Sequence, residues 1–112
     1  MEVFKVSAAR QIWWQYVKGM IRQYPRIKDS TCLPTHKLTE VEAVRKAIDD
    51  TLMLEDGALR MRLVKLLYWD RKWHRLEDAA GDAFCSVGTA RKWHRDFVYL
   101  VAAYRGLWIE RG

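Results

Sequence analysis

"LEDAAGDAFCSVGTARKWHRDF", residues 76–97, decides how this chain of 112 residues is read. Leu76 to Ala83 are mostly small residues and acids, a break follows at Phe84-Cys85-Ser86, and the next run carries Arg91, Lys92 and Arg95. Leu76, Ala79, Ala80 and Ala83 recur at helical spacing and predict a short helix over about 76–83. Ala90, Trp93, Phe97, Leu100, Val101 and Tyr104 predict a last helix over about 87–105 with those side chains inward. Ser86 stands where an N-cap belongs, its hydroxyl placed to accept the N–H two or three residues on. Ala79 and Ala80 let the two helices cross closely. These are the mechanical needs of a helix-turn-helix.

The last helix then has a second side. Val87, Gly88, Thr89, Arg91, Lys92 and Arg95, with Ser86 at the cap, form a polar and basic face opposite the core. Arg91 and Arg95 suit bidentate contacts with guanine, or equally with phosphate. Lys92 suits phosphate. Val87 and Gly88 bring the backbone close to DNA or touch a thymine methyl. Arg71, Lys72 and Arg75 in "DRKWHR", residues 70–75, are candidate secondary phosphate contacts. The same spacing also fits a plain core hairpin whose charges are solvated.

Working outward, Ile12, Trp13, Tyr16, Val17, Met20, Ile21 and Tyr24 form one stripe and predict a helix over 7–24. Pro25 is expected to end it, since the residue before a proline is pushed from the α region. "PRIKDSTCLPTHK" reads as a loop from 25 to about 38. Thr39 and Glu42 have capping-box spacing, so a second helix is expected from Thr39 with Val41, Val44, Ile48 and Leu52 inward. "EDG" at 55–57 breaks it, and Asp56 is a candidate cap for a third helix over 57–69. That helix is expected to bury Leu59, Leu63, Leu66 and Leu67 and to show Arg60, Arg62 and Lys65 to solvent. The expected architecture is all-α: five helices in a single domain over 1–112, with a helical pair at 7–56 and the helix-turn-helix region at 57–105.

Composition bounds the function. Half of the residues are hydrophobic and six are tryptophans, ample for one packed core. Residues 1–56 hold nine Lys/Arg against eight Asp/Glu (+1), and residues 57–112 hold eleven against six (+5). The second half is therefore the face expected to attract a polyanion. No apolar run approaches the roughly 18 residues of a membrane span. "MEVFKVSAARQIWW" has no signal-peptide pattern, and Cys32 and Cys85 have no framework spacing, so reduced thiols in a cytoplasm are expected. Cys32 and His36 are one loose pair, with His74 and His94 elsewhere, short of the four closely spaced ligands of structural zinc. No metal or cofactor is expected. Asp49-Asp50 reads as a solvated face, and no nucleophile–base pair stands out, so an enzyme is not expected.

The layout resembles the ArpU/RinA-type phage transcriptional regulators, small helical proteins with a C-terminal helix-turn-helix similar to region 4 of sigma factors. The matching residues are "LEDAA" at 76–80, Ser86, "TARKWHRDF" at 89–97 and "RLVKLLYW" at 62–69. "ARQIWWQYVKGMIRQYP" at 9–25 is similar in flavour to the lead helix of such proteins. The resemblance is best over about 57–104, and its motifs are degenerate. Cys85 stands where an aliphatic residue is usual and can fill that slot as a small hydrophobe. Gly88 replaces a position often charged or polar, which removes a side-chain base contact. The resemblance implies a DNA-binding regulator of late phage or prophage genes in a bacterial host cell.

Two other readings stand beside it. A small terminase-like subunit would choose packaging sites on phage DNA. A module of sigma-region-4 type would bind RNA polymerase or another protein, with little DNA affinity of its own. Its contacts would be Trp14, expected about 100° off the core stripe, and the basic Arg60, Arg62 and Lys65. Trp108 is a further candidate for a partner surface. Self-association through the first helix, as a homodimer, would suit paired half-sites.

Overall fold

The computed structural model describes the backbone of residues 2–107 and the side chains of residues 12–107; Trp108 lies outside them. Five helices follow one another: α1 (Glu2–Ile27), α2 (Thr35–Leu52), α3 (Gly57–Val64), α4 (Leu76–Asp82) and α5 (Val87–Arg105). α3 runs on into a π turn, Lys65–Trp69, closed by Asp70 N–H donating to the Lys65 carbonyl at 2.9 Å. There is no strand among the described residues. None of these helices is long and apolar enough to cross a membrane.

The core is in two parts. The larger joins Val17, Met20 and Ile21 of α1, Ala43, Val44 and Ala47 of α2, Met61 and Val64 of α3, and Phe97, Val98, Val101 and Ala102 of α5. α2 and α5 make the most extensive helix contact, where Ala43, Ala47 and Ala102 let the backbones approach. The smaller part gathers Leu63, Ala79, Ala80, Ala83, Ala90 and Trp93, with Leu59, Leu66, Leu67, Leu76, Cys85 and Val87 around them. α5 belongs to both parts, so the core fixes the rotation of α5 about its own axis.

α1 does not stop at Pro25 but continues to Ile27. A proline inside a helix removes the bond to the carbonyl four residues back. Here that carbonyl, on fully buried Ile21, accepts the Trp69 indole N–H at 2.7 Å instead. A side chain 48 residues away thus compensates for the proline. On the stripe itself Val17, Met20 and Ile21 are buried, whereas Ile12 is 80% exposed.

α2 starts four residues before Thr39. Pro34 takes the N-cap position, and the Thr39 hydroxyl lies within the helix, donating to the Thr35 carbonyl at 3.0 Å. Glu42 does not reach back to the helix start. It pairs with Arg45, whose guanidinium holds the carboxyl below its usual range. The buried face is Glu40, Ala43, Val44, Ala47 and Thr51, with Ile48 partly buried beside it; of the residues expected inward, Val44 is buried, Val41 is half-buried and Leu52 is exposed. Buried Glu40 is satisfied by the Tyr16 hydroxyl at 2.5 Å and the Lys37 ammonium at 3.2 Å.

Asp56 precedes α3 but makes no side-chain cap, because its backbone is left-handed (φ 58°). Arg60 and Arg62, expected on an open face, are engaged. Arg60 lies over the Trp93 ring, 5.5 Å from its centroid, and 3.7 Å from Asp96. The Arg62 Nε donates to the Asp82 carbonyl at 2.7 Å, tying α3 to the end of α4.

Candidate nucleic-acid interface

The site is built on how α4 gives way to α5. α4 closes with Cys85 N–H donating to the Ala80 carbonyl at 3.0 Å and Phe84 N–H to the Gly81 carbonyl at 3.1 Å. That paired pattern needs a left-handed residue, usually glycine, just past the helix. Phe84 fills the position with φ 57°, its ring 79% exposed. Gly106 does the same past α5, at φ 82°. One residue after Cys85, Ser86 caps α5, its Oγ accepting the Thr89 N–H at 3.1 Å.

The seven candidates at the start of α5 then separate. Ser86 and Thr89 are tied to each other: the Ser86 hydroxyl also donates to Thr89 Oγ1 at 3.0 Å. Val87 is half-buried against the smaller core. Gly88, Arg91, Lys92 and Arg95 are exposed. They stand three and four residues apart and therefore form one strip along the helix. Among the described residues no carboxylate pairs with Arg91, Lys92 or Arg95. The neighbouring acid, Asp96, is taken by Arg60. A Cβ added at Gly88 would meet nothing closer than Ser86 Oγ at 4.0 Å, so the fold itself does not require glycine there.

The joint between the π turn and α4 lies beside α5, since Trp73, His74 and Leu76 share a cavity with His94. Arg71, Lys72 and Arg75 are exposed on it, with no ion pair among the described residues. Asp70 is taken up locally: it accepts the Arg71 N–H at 2.8 Å and pairs with His74 Nε2 at 2.5 Å. The His74 hydrogen bond holds the Asp70 carboxyl below its usual range.

Trp14 is not an open patch. It is half-buried, 5.9 Å from the His94 ring and 6.1 Å from Tyr99. With Arg60 drawn onto Trp93 and Asp96 as well, the residues of the expected alternative surface that stay exposed are Arg62, tied to the Asp82 carbonyl, and Lys65. Two basic residues that sequence reasoning passes over are Lys18 and Arg22. They follow Trp14 at four-residue steps, and this basic continuation of an aromatic position is the available signal. Among the described residues no group of three or more His, Cys, Asp or Glu could hold a metal ion. Comparison with family models, with curated proteins and with solved structures finds no match to this chain.

Proposed function

We propose that this protein is a sequence-specific DNA-binding transcriptional regulator of phage or prophage type. In this reading α4 and α5 form a helix-turn-helix, and the first turns of α5 enter the major groove. The role is binding, without catalysis. The observation that carries it is the exposed strip of Gly88, Arg91, Lys92 and Arg95 at the capped start of α5. Its three cations lack carboxylate partners among the described residues, and the opposite face of the helix is locked into the core. Arg91 and Arg95 supply guanine or phosphate contacts, and Lys92 a phosphate contact. Gly88 contributes close backbone approach, and Val87 a partial apolar edge. Ser86 and Thr89 act mainly by holding the helix start. Arg71, Lys72 and Arg75 extend the phosphate contacts along the joint.

The test is selection of bound duplexes from a random pool, followed by titrations of Arg91→Ala and Arg95→Ala across a salt series. One enriched motif is expected. Losing a bidentate guanine contact should cost about 1–3 kcal/mol at one base pair. Each lost phosphate contact should flatten the slope of log affinity against log salt by roughly 0.9. A double variant with unchanged affinity and slope refutes the reading. Absence of any DNA shift at low salt, with RNA polymerase captured from extract, replaces it with the protein-interaction reading.

A further inference from the structure

We propose that the cavity between α1, the 70–75 joint and α5 is an anion site that takes a phosphate group between Lys18 and Arg22. The proposal does not depend on α5 entering DNA. The cavity measures about 270 Å³, and Lys18, Arg22, Tyr68, Trp73, His74 and His94 stand around it. Lys18 and Arg22 are one helical turn apart, so both project to the same side of α1. Neither has a carboxylate partner among the described residues. The nearest acid on the joint, Asp70, is bound to His74. Two like charges thus share a recess whose lining, among the described residues, holds no carboxylate, an arrangement that costs free energy until an anion enters.

The ionisable groups show that cost. The Lys18 ammonium is pushed below its usual range by burial and then by Arg22. The His94 imidazole is pushed down to about 4 by burial, then by Lys18 and Arg22. His94 is therefore neutral near pH 7, and its Nε2 shares a hydrogen bond with the Tyr68 hydroxyl. The Arg22 guanidinium lies over the Tyr68 ring, 5.6 Å from its centroid. That stacking orients the guanidinium and leaves its N–H edge for an acceptor. A lysine and an arginine together match a phosphate monoester's charge of about −1.5 to −2. Trp73, 83% exposed at the cavity, gives a flat apolar surface for whatever carries the phosphate.

The experiment follows the His94 ring by NMR while inorganic phosphate is added to the full chain at constant ionic strength. A saturable shift is expected, with the His94 pKa raised by about one unit or more. Lys18→Met/Arg22→Met should abolish saturation. If that double variant does not fold, Lys18→Gln alone should weaken phosphate several-fold. A second arm titrates duplex DNA across a salt series. A slope that falls by up to roughly 1.8 in the double variant shows that the phosphate is the DNA backbone's. An unchanged slope, or no DNA binding at all, with phosphate saturation intact shows a free phosphate source. A linear His94 response that is the same in wild type and variant, with no change in DNA slope, overturns the site.

Discussion

Replacing Trp69 by Phe removes the indole N–H that serves the Ile21 carbonyl. Ile21 is fully buried, so water does not reach its carbonyl while Trp69 is in place. Pro25 has no N–H, so the helix cannot supply the bond either. A buried acceptor left without a donor costs about 1–3 kcal/mol. Trp69→Phe also shrinks the ring, and that packing loss must be separated from the orphaned carbonyl. Pro25→Ala separates it, because an alanine N–H at this position can donate to Ile21 in the ordinary helical way. In the Pro25→Ala background Trp69→Phe should cost packing alone. The two costs should differ by about 1–2 kcal/mol, which for a chain of this length is about 4–8 °C in melting temperature. Urea unfolding of the four proteins, followed by ellipticity, gives the cycle; with six tryptophans, fluorescence would confuse signal with stability. Equal costs in both backgrounds, within about 0.5 kcal/mol, refute the assignment of the bond as a replacement for the proline's.

Gly57→Ala should destabilise by about 3 kcal/mol in urea unfolding, because a Cβ there meets the Thr51 and Leu52 carbonyl oxygens at 2.5 and 2.7 Å. Ser86→Ala should cost about 1 kcal/mol by thermal melting, from the lost cap to Thr89, and Ser86→Gly less. His94 binds its proton near 6.5 when unfolded and only near pH 4 when folded. Its share of stability is therefore lost as pH falls from about 6.5 to about 4, a gap worth about 3 kcal/mol. Unfolding measured across that window should be flatter in His94→Gln than in the wild type; parallel curves would show that the ring does not titrate as described.

The elements legible in the sequence are those whose ends are set by neighbours in the chain. Ser86 and Gly106 bound α5 through local hydrogen bonds, and α5 lies where its pattern puts it, save that Tyr104, expected inward, is exposed with its hydroxyl donating to Asp50. Sequence pattern ends α1 too early because Pro25 is harmless only through Trp69, and no window of sequence holds both. It starts α2 too late because Thr39 and Glu42 have capping-box spacing while Pro34 takes the N-cap position. It overstates the basic face of α3 for a tertiary reason: Arg60 and Arg62 find Asp96, Trp93 and the Asp82 carbonyl only after folding. Of the candidate site, Arg91, Lys92 and Arg95 are legible as outward because Ala90, Trp93 and Phe97 define the inward side. That Ser86 and Thr89 are occupied with each other is visible only in part, through the cap. Lys18 and Arg22 escape notice because a cation on an amphipathic helix reads as solvated until another element closes over it.

The alanines that let α4 lie close to α5 also make it easy to lift. Ala79 and Ala80 of α4, and Ala83 just past its end, each bring a single methyl to the smaller core, with half-buried Leu76 beside them, against the whole ring of Trp93 from α5. At about 0.8 kcal/mol per buried carbon, three methyls and one partly buried leucine hold this seven-residue helix and its cap by only a few kcal/mol. α5, anchored in both parts of the core, has no such weak seat. Opening is therefore sub-global: α4 lifts while the rest of the fold stays shut, and its amides exchange with solvent well before those of α5. A ligand that bears on α4 and α5 together would slow that exchange, so deuterium uptake in seven residues becomes a sensor of occupancy for the whole face.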